Sequence, residues 1–233
     1  MPSGPARTLR LDGVRHGRAI MTMMDLTLRG AVSDRATLDR TAEDLCRSFA
    51  ISWTAQASWG TWSELADLRS GHPAFVIRHT PEGTGLDTQR WGIGEGREPT
   101  TRIPGLSLPW WRRLAERPAQ RCLIPLTACT MASSARPGRD RRATWFALAD
   151  ALVFTVAGLW RDSGDARCFA LVECEDGDLS PMPMIVAAAD RERWLHGSIE
   201  DIAALQRPCP PEMLRIGLPR PTAPAYRPLN APF

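Results

Sequence analysis

The longest apolar run in the chain is Ala151-Leu152-Val153-Phe154-Thr155-Val156-Ala157-Gly158-Leu159-Trp160. It is long enough for one β-strand and far short of the roughly 18 apolar residues of a membrane-spanning helix. Similar short runs recur at Ala74–His79, Arg121–Pro125, Trp145–Leu148, Arg167–Cys174 and Met182–Ala188. Glycine, proline or charged residues bound them, the punctuation expected between strands. Thr80-Pro81-Glu82-Gly83-Thr84-Gly85 has turn chemistry, and Leu86–Ile93 is placed to return as a partner strand of Ala74–His79. Leu152–Leu159 and Trp145–Leu148 read as two strands joined at Asp150. Six or more strands with only short helices predict an α+β domain dominated by β-structure.

Asp34–Phe49 reads as a helix: it opens on Ser33-Asp34, both good capping residues, and carries Leu38, Ala42, Leu45 and Cys46 on one stripe. Trp110–Glu116 is a short helix, Asp190 is expected to cap another through Trp194 and Leu195, and Ile199–Leu205 forms a third. Ile51–Trp62, with Trp53, Trp59 and Trp62, has no clear period, and Gly92–Gly105 reads as a loop. Residues 1–22 are Arg- and Gly-rich without an apolar core, so they read as a disordered extension and not a secretory signal. Met21, Met23 and Met24 leave the start of translation open. The body of the domain is expected over residues 23–217. Prolines become frequent from Arg207 onward, and residues 218–233 read as an extended or disordered tail.

Charge and sulfur narrow the function classes. Net charge is +3, and all 29 basic residues are arginine. Arginine's planar fork suits phosphate and stacks on bases, yet so small an excess supports nucleic-acid binding only weakly. Cys46, Cys122, Cys129, Cys168, Cys174 and Cys209 form no Cys-x-x-Cys pair, and His16, His72, His79 and His196 add no metal-ligand spacing. No metal and no cofactor are expected, and the cysteines read as reduced thiols of a cytoplasmic protein. His196 reads as a surface residue, whereas His72 and His79 flank a strand and are expected to be partly buried. A Ser-His-Asp arrangement is not supported.

Several of these segments, taken in order, resemble the SRAP family (SOS response-associated peptidase-like, abasic-site processing proteins). Ala74-Phe75-Val76-Ile77-Arg78-His79 followed by Arg90-Trp91-Gly92-Ile93 is similar to the family's strand, turn and Arg-Trp-Gly-Leu segment. Arg121-Cys122-Leu123-Ile124-Pro125 resembles its Arg-Cys-Leu-Ile-Pro strand, and Phe154–Trp160 its Phe-Ala-Gly-Leu-Trp strand. Met182-Pro183-Met184-Ile185 and Leu205-Gln206-Arg207-Pro208-Cys209-Pro210 resemble two late segments, so the likeness spans residues 23 to 215. It implies one α+β domain with a strongly curved, mostly antiparallel β core and short peripheral helices. It also implies single-stranded or damaged DNA as partner, in the DNA-damage (SOS) response, for a monomer with no membrane association.

Active members of that family are implied to join covalently to abasic sites. An N-terminal cysteine offers an amine for a Schiff base and a thiol that closes a ring, and a nearby Asn, Glu and His hold the site and move protons. Here the cysteine position resembles Met24, the Asn position Thr100, the Glu position Met131 and the His position Leu179. A thioether cannot close the ring, and neither Met nor Leu transfers a proton. The family's Arg survives as Arg102, while its Pro-x-Trp is replaced by Glu95-Gly96-Arg97. The expectation is a catalytically degenerate relative. Two other readings stay open: an active enzyme that crosslinks to abasic sites or cleaves peptides with other groups, and a protein-interaction module without DNA affinity.

The remaining candidates are DNA contacts. Arg102 is placed to meet a phosphate. Trp91, and Trp110 and Trp111 beside Arg112 and Arg113, offer base stacking with cations alongside. Each has a plainer reading as an ion-paired arginine or a core tryptophan. Arg136, Arg139, Arg141 and Arg142 form a basic loop, and Cys129 lies two residues before the lost Glu position as a substitute thiol.

Overall fold

The structure is a computed structural model. It describes residues 35–53, 67–94, 99–131, 144–164, 166–174 and 181–218. In chain order these form β1 (Arg35–Thr37), α1 (Ala42–Phe49), β2 (Ser52–Trp53), β3 (Asp67–Arg69), β4 (Pro73–Thr80), β5 (Gly83–Trp91) and β6 (Arg102–Ile103). There follow α2 (Pro109–Ala115), β7 (Arg121–Leu126), β8 (Ala128–Met131), β9 (Thr144–Leu148), β10 (Phe154–Ser163) and β11 (Ala166–Val172). The described part ends with β12 (Ile185–Val186), α3 (Arg191–His196), α4 (Ile199–Ala204) and β13 (Leu214–Leu218).

The strands build two sheets. One runs β13-β9-β8-β1-β3 and the other β12-β10-β7-β4-β5-β11-β6, with β2 beside β5. Because β10 also pairs with β11, from Gly158↔Leu171 to Ser163↔Ala166, strands β10, β7, β4, β5 and β11 close into a barrel. Closure removes the open edges that β10 and β11 would otherwise present. Most pairs are antiparallel; β5–β11, β6–β11 and β2–β5 are parallel. The expected curved α+β architecture is therefore present.

Alternation along the strands separates an inner from an outer barrel face. Arg121 points at helices α2 and α3, which can lie only outside so narrow a barrel. Its neighbour Cys122 then points in, and a Cβ added to Gly158 on β10 would run into Cys122 Sγ and Ile124 Cδ1. Glycine at that position is a packing requirement of the interior. Trp91 stacks on Phe169 inside, their ring centroids 6.2 Å apart. Ala36 of β1 and Leu68 of β3 close over Trp91, Ile124, Phe169 and Leu171, so the five-stranded sheet lies against the apolar part of the barrel interior.

Local chemistry explains where the structure departs from the sequence reading. The helix expected over Asp34–Phe49 starts only at Ala42, and Arg35–Thr37 within that span is strand β1. Thr41 is the real cap: its Oγ1 accepts from the Asp44 N–H at 3.0 Å, and Asp44 accepts from the Thr41 N–H at 3.2 Å. Thr41→Ala is expected to cost about 1 kcal/mol in urea unfolding. Hydrogen bonds from Thr41 hold the Asp44 carboxyl below its ordinary value. A depressed carboxyl stabilises above its unfolded pKa and loses that contribution as pH falls, so the Thr41→Ala deficit should shrink in acid.

Other differences are smaller. Asp190 precedes α3 but makes no side-chain cap bond. Prolines become frequent after Arg207, and the sequence reading places no strand there. Instead Leu214–Leu218 adds β13 to the free side of β9, with a bulge between Ile216 and Leu218 where Gly217 takes a φ of +78°. His72 and His79 are exposed, not partly buried, whereas His196 is exposed as expected. Cys122, Cys129, Cys168 and Cys174 are buried, and Cys46 and Cys209 are half-buried. Burial pushes the Cys122 thiol well above its ordinary value, so it is inert as a nucleophile. Among the described residues, no helix is long and apolar enough to cross a membrane.

Candidate functional site

The residues singled out in the sequence fall into two places. The first is where β6, β8 and β1 meet. Arg102 leaves β6 with its side chain only 12% exposed, donating from one terminal nitrogen to Glu173 Oε1 at 3.3 Å. Its other terminal nitrogen donates to the Thr130 carbonyl at 2.7 Å. On the far side of β8, Thr130 Oγ1 accepts from the Arg35 N–H at 3.1 Å and is within 3.0 Å of the Arg35 carbonyl. Arg35 Nη1 is buried without a hydrogen-bond partner. Thr130, next in sequence to Met131, thus takes the Arg102 guanidinium on its carbonyl and the Arg35 backbone on its hydroxyl, with Glu173 the carboxylate that Arg102 meets. Residues 71 apart in the chain, Arg102 and Glu173, are joined there because β6 runs alongside β11.

Arg102 is therefore held inward by an ion pair, and its expected role as a free phosphate contact is corrected to a positioned, partly screened cation. Thr100 is exposed and sits in a bridge with Ile93. Met131 ends β8 in register with Thr144. Met24 and Leu179 lie outside the described residues, as do Arg136, Arg139, Arg141 and Arg142. Cys129 is fully buried in β8, in register with Ala36, so it cannot meet a macromolecular substrate. No group of His, Cys, Asp and Glu that could hold a metal occurs among the described residues.

The second place is α2. Trp110 is 57% exposed, and the Arg161 guanidinium lies over its ring, 5.5 Å from the centroid. Trp111 is half-buried and packs on the core. Arg113 is exposed, and Arg112 is shared between Glu116 at 3.4 Å and Glu200 at 3.8 Å. Trp91 is corrected outright as a DNA contact: it is 1% exposed, and its indole N–H donates to the Thr101 carbonyl at 3.0 Å. The sequence reading missed Arg35, Glu173 and Arg161. Arg161 follows Trp160 at the end of a recognised strand, but nothing local signals that it covers Trp110.

No family model and no curated protein matches this chain. Solved structures do resemble it. A protein from Bacteroides thetaiotaomicron superposes with a TM-score of 0.61 at 16% identity, over 78% of this chain and 90% of its own. A protein from Bordetella bronchiseptica gives 0.60 at 19% identity, over 79% and 98%. A phage-related protein from the same organism gives 0.58 at 16% identity, over 81% and 94%. At such identity the likeness establishes a shared fold across nearly the whole of those chains.

Proposed function

We propose that the chain is a cytoplasmic, monomeric SRAP-type protein that binds single-stranded DNA without forming a covalent bond to it. One observation carries the reading: Trp110 is exposed with the Arg161 guanidinium over its ring, while the positions that resemble the family's Asn and Glu hold Thr100 and Met131. Neither Thr100 nor Met131 can replace the proton-transfer groups that the resemblance implies at those positions, and an exposed aromatic beside a cation suits a base next to a phosphate. The family likeness itself draws support from the sheet order. Four of the segments that resemble the family fall on β10, β7, β4 and β5, which are consecutive neighbours in the barrel. The stacked pair Trp110–Arg161, with Arg113 on the same short helix, supplies an exposed platform for a base beside cations.

The test is fluorescence anisotropy with a labelled single-stranded oligonucleotide at two salt concentrations. Affinity should fall as salt rises, with a slope of about −0.7 per phosphate contacted on a log–log plot. Trp110→Ala should weaken binding by about 1–3 kcal/mol, the worth of one stacked base, and leave the salt slope unchanged. Because Trp110 is mostly exposed, the variant should melt like the parent. Binding that is indifferent to Trp110 would remove α2 from the interface; no binding in either salt would favour the protein-interaction reading.

A further inference from the structure

The barrel interior turns polar at the end away from Arg102. On β11, Leu171 stands in register with Arg102, whereas Arg167 lies near the other end of the strand, beside the β10–β11 turn. There Asp87, its side chain 1% exposed, accepts from Arg78 Nε at 2.7 Å and from an Arg167 terminal nitrogen at 2.8 Å. The Arg78 guanidinium also lies 4.9 Å from the centroid of the Trp160 ring. Two residues beyond Asp87, and so on the same side of β5, Gln89 is 2% exposed. Neither its amide oxygen nor its amide nitrogen has a hydrogen-bond partner, and the buried Trp160 indole nitrogen has none either.

Register brings these groups together. Arg90 pairs with Cys168, which sets Gln89 beside Arg167 one residue back on both strands. Trp160 pairs with Phe169, the next inward residue after Arg167. Buried amides and indoles left without partners are uncommon in folded proteins, and each costs about 1–3 kcal/mol in lost hydration. Three such atoms next to two guanidiniums that share one carboxylate need an occupant that supplies the missing bonds. Barrel mouths are frequent places for one. Asp162, in register with Arg167, is exposed at the rim, and the Arg78 and Arg167 side chains are 13% and 25% exposed, so the cluster reaches solvent.

We propose that this end of the barrel binds a small oxyanion carrying one hydroxyl, the chemistry of a monohydrogen phosphate. The unused guanidinium N–H groups, the Gln89 amide nitrogen and the Trp160 indole are donors, which calls for an oxygen-rich anion. The Gln89 amide oxygen is an acceptor, which calls for one protonated oxygen on that anion. Sulfate at neutral pH has none, so phosphate is preferred over sulfate. The site is separate from the Arg102–Glu173 pair and from Trp110, and it does not depend on DNA binding.

Titration calorimetry of the whole chain tests this, with inorganic phosphate, sulfate and glycerol 3-phosphate at neutral pH and ionic strength matched with chloride. Phosphate should bind at least tenfold tighter than sulfate. Gln89→Leu should erase that preference, and Trp160→Phe, which keeps a ring beneath Arg78, should weaken phosphate at least threefold. Both substitutions delete unpaired polar atoms, so both variants should melt no lower than the parent without phosphate. Glycerol 3-phosphate, whose phosphoryl group is mostly a dianion without a hydroxyl at neutral pH, should bind more weakly than inorganic phosphate; equal binding would overturn the requirement for a hydroxyl. Sulfate and phosphate bound equally by the parent, variants that respond as the parent does, or a crystal grown in phosphate with only ordered water at Gln89 would each overturn the proposal. Should Gln89→Leu not fold, the Trp160→Phe titration and the crystal decide.

Discussion

Arg121→Met should lower the unfolding free energy by about 3–5 kcal/mol, read from urea denaturation at neutral pH. Arg121 is 1% exposed, and no acidic partner is needed to hold it. Its guanidinium donates to the carbonyls of Ala115 at 2.7 Å, Trp194 at 3.2 Å and Gly197 at 2.7 Å. Ala115 ends α2, and Trp194 and Gly197 belong to the end of α3 and its cap, so one cation closes the C-termini of two helices. Helix C-termini carry orphan carbonyls and partial negative charge, which a buried cation satisfies. Burial depresses the Arg121 pKa from its ordinary value, a sign of how much hydration the group gives up for those contacts. Methionine fills much of the volume but strands three carbonyls. Arg121→Lys should recover only part of the loss, because one ammonium cannot span the fork. A methionine variant as stable as the parent would show that water reaches these carbonyls.

Trp91→Ala should cost about 3–5 kcal/mol, from a lost aromatic side chain and the cavity it leaves. Trp91 stacks on Phe169 inside the barrel and meets Ala36 and Leu68 from the second sheet. It therefore ties the two sheets together. Trp91→Phe retains the stack and loses the indole hydrogen bond to Thr101, so it should cost about 1 kcal/mol. This pair separates stability from recognition: Trp91→Phe should bind an oligonucleotide as the parent does, in contrast to Trp110→Ala. A DNA-binding defect in folded Trp91→Phe would return Trp91 to the interface.

The barrel strands were legible because their chemistry is unambiguous. Arg121–Leu126 is buried along its whole length, and Pro73–Thr80 and Gly83–Trp91 flank a Pro-Glu turn that ends on Gly83, at a φ of +118°. What was not legible is long-range. Nothing in Phe154–Ser163 announces that it pairs with β7 on one side and β11 on the other, so the closure had to come from the structure. Strand β1 was read as helix because Leu38 and Leu45 fit a helical stripe, while the Thr41–Asp44 capping box that starts the true helix lies within that span. Leu214–Leu218 hid in a proline-rich setting; what orders it is the open side of β9. At the candidate site, Arg102 was recognised from its local motif. Glu173, which holds Arg102, and Arg35, across β8 from it, carry no local signal and are assembled only by β-pairing.

The central claim is DNA binding without covalent chemistry. Its most direct test mixes the protein with labelled single-stranded DNA containing one abasic site and divides each sample between native and denaturing electrophoresis. The account predicts a complex on the native gel that weakens with salt, and free DNA alone on the denaturing gel. A labelled band that migrates with the denatured protein would contradict it, because a nucleophile of the chain would then have bonded to the abasic sugar.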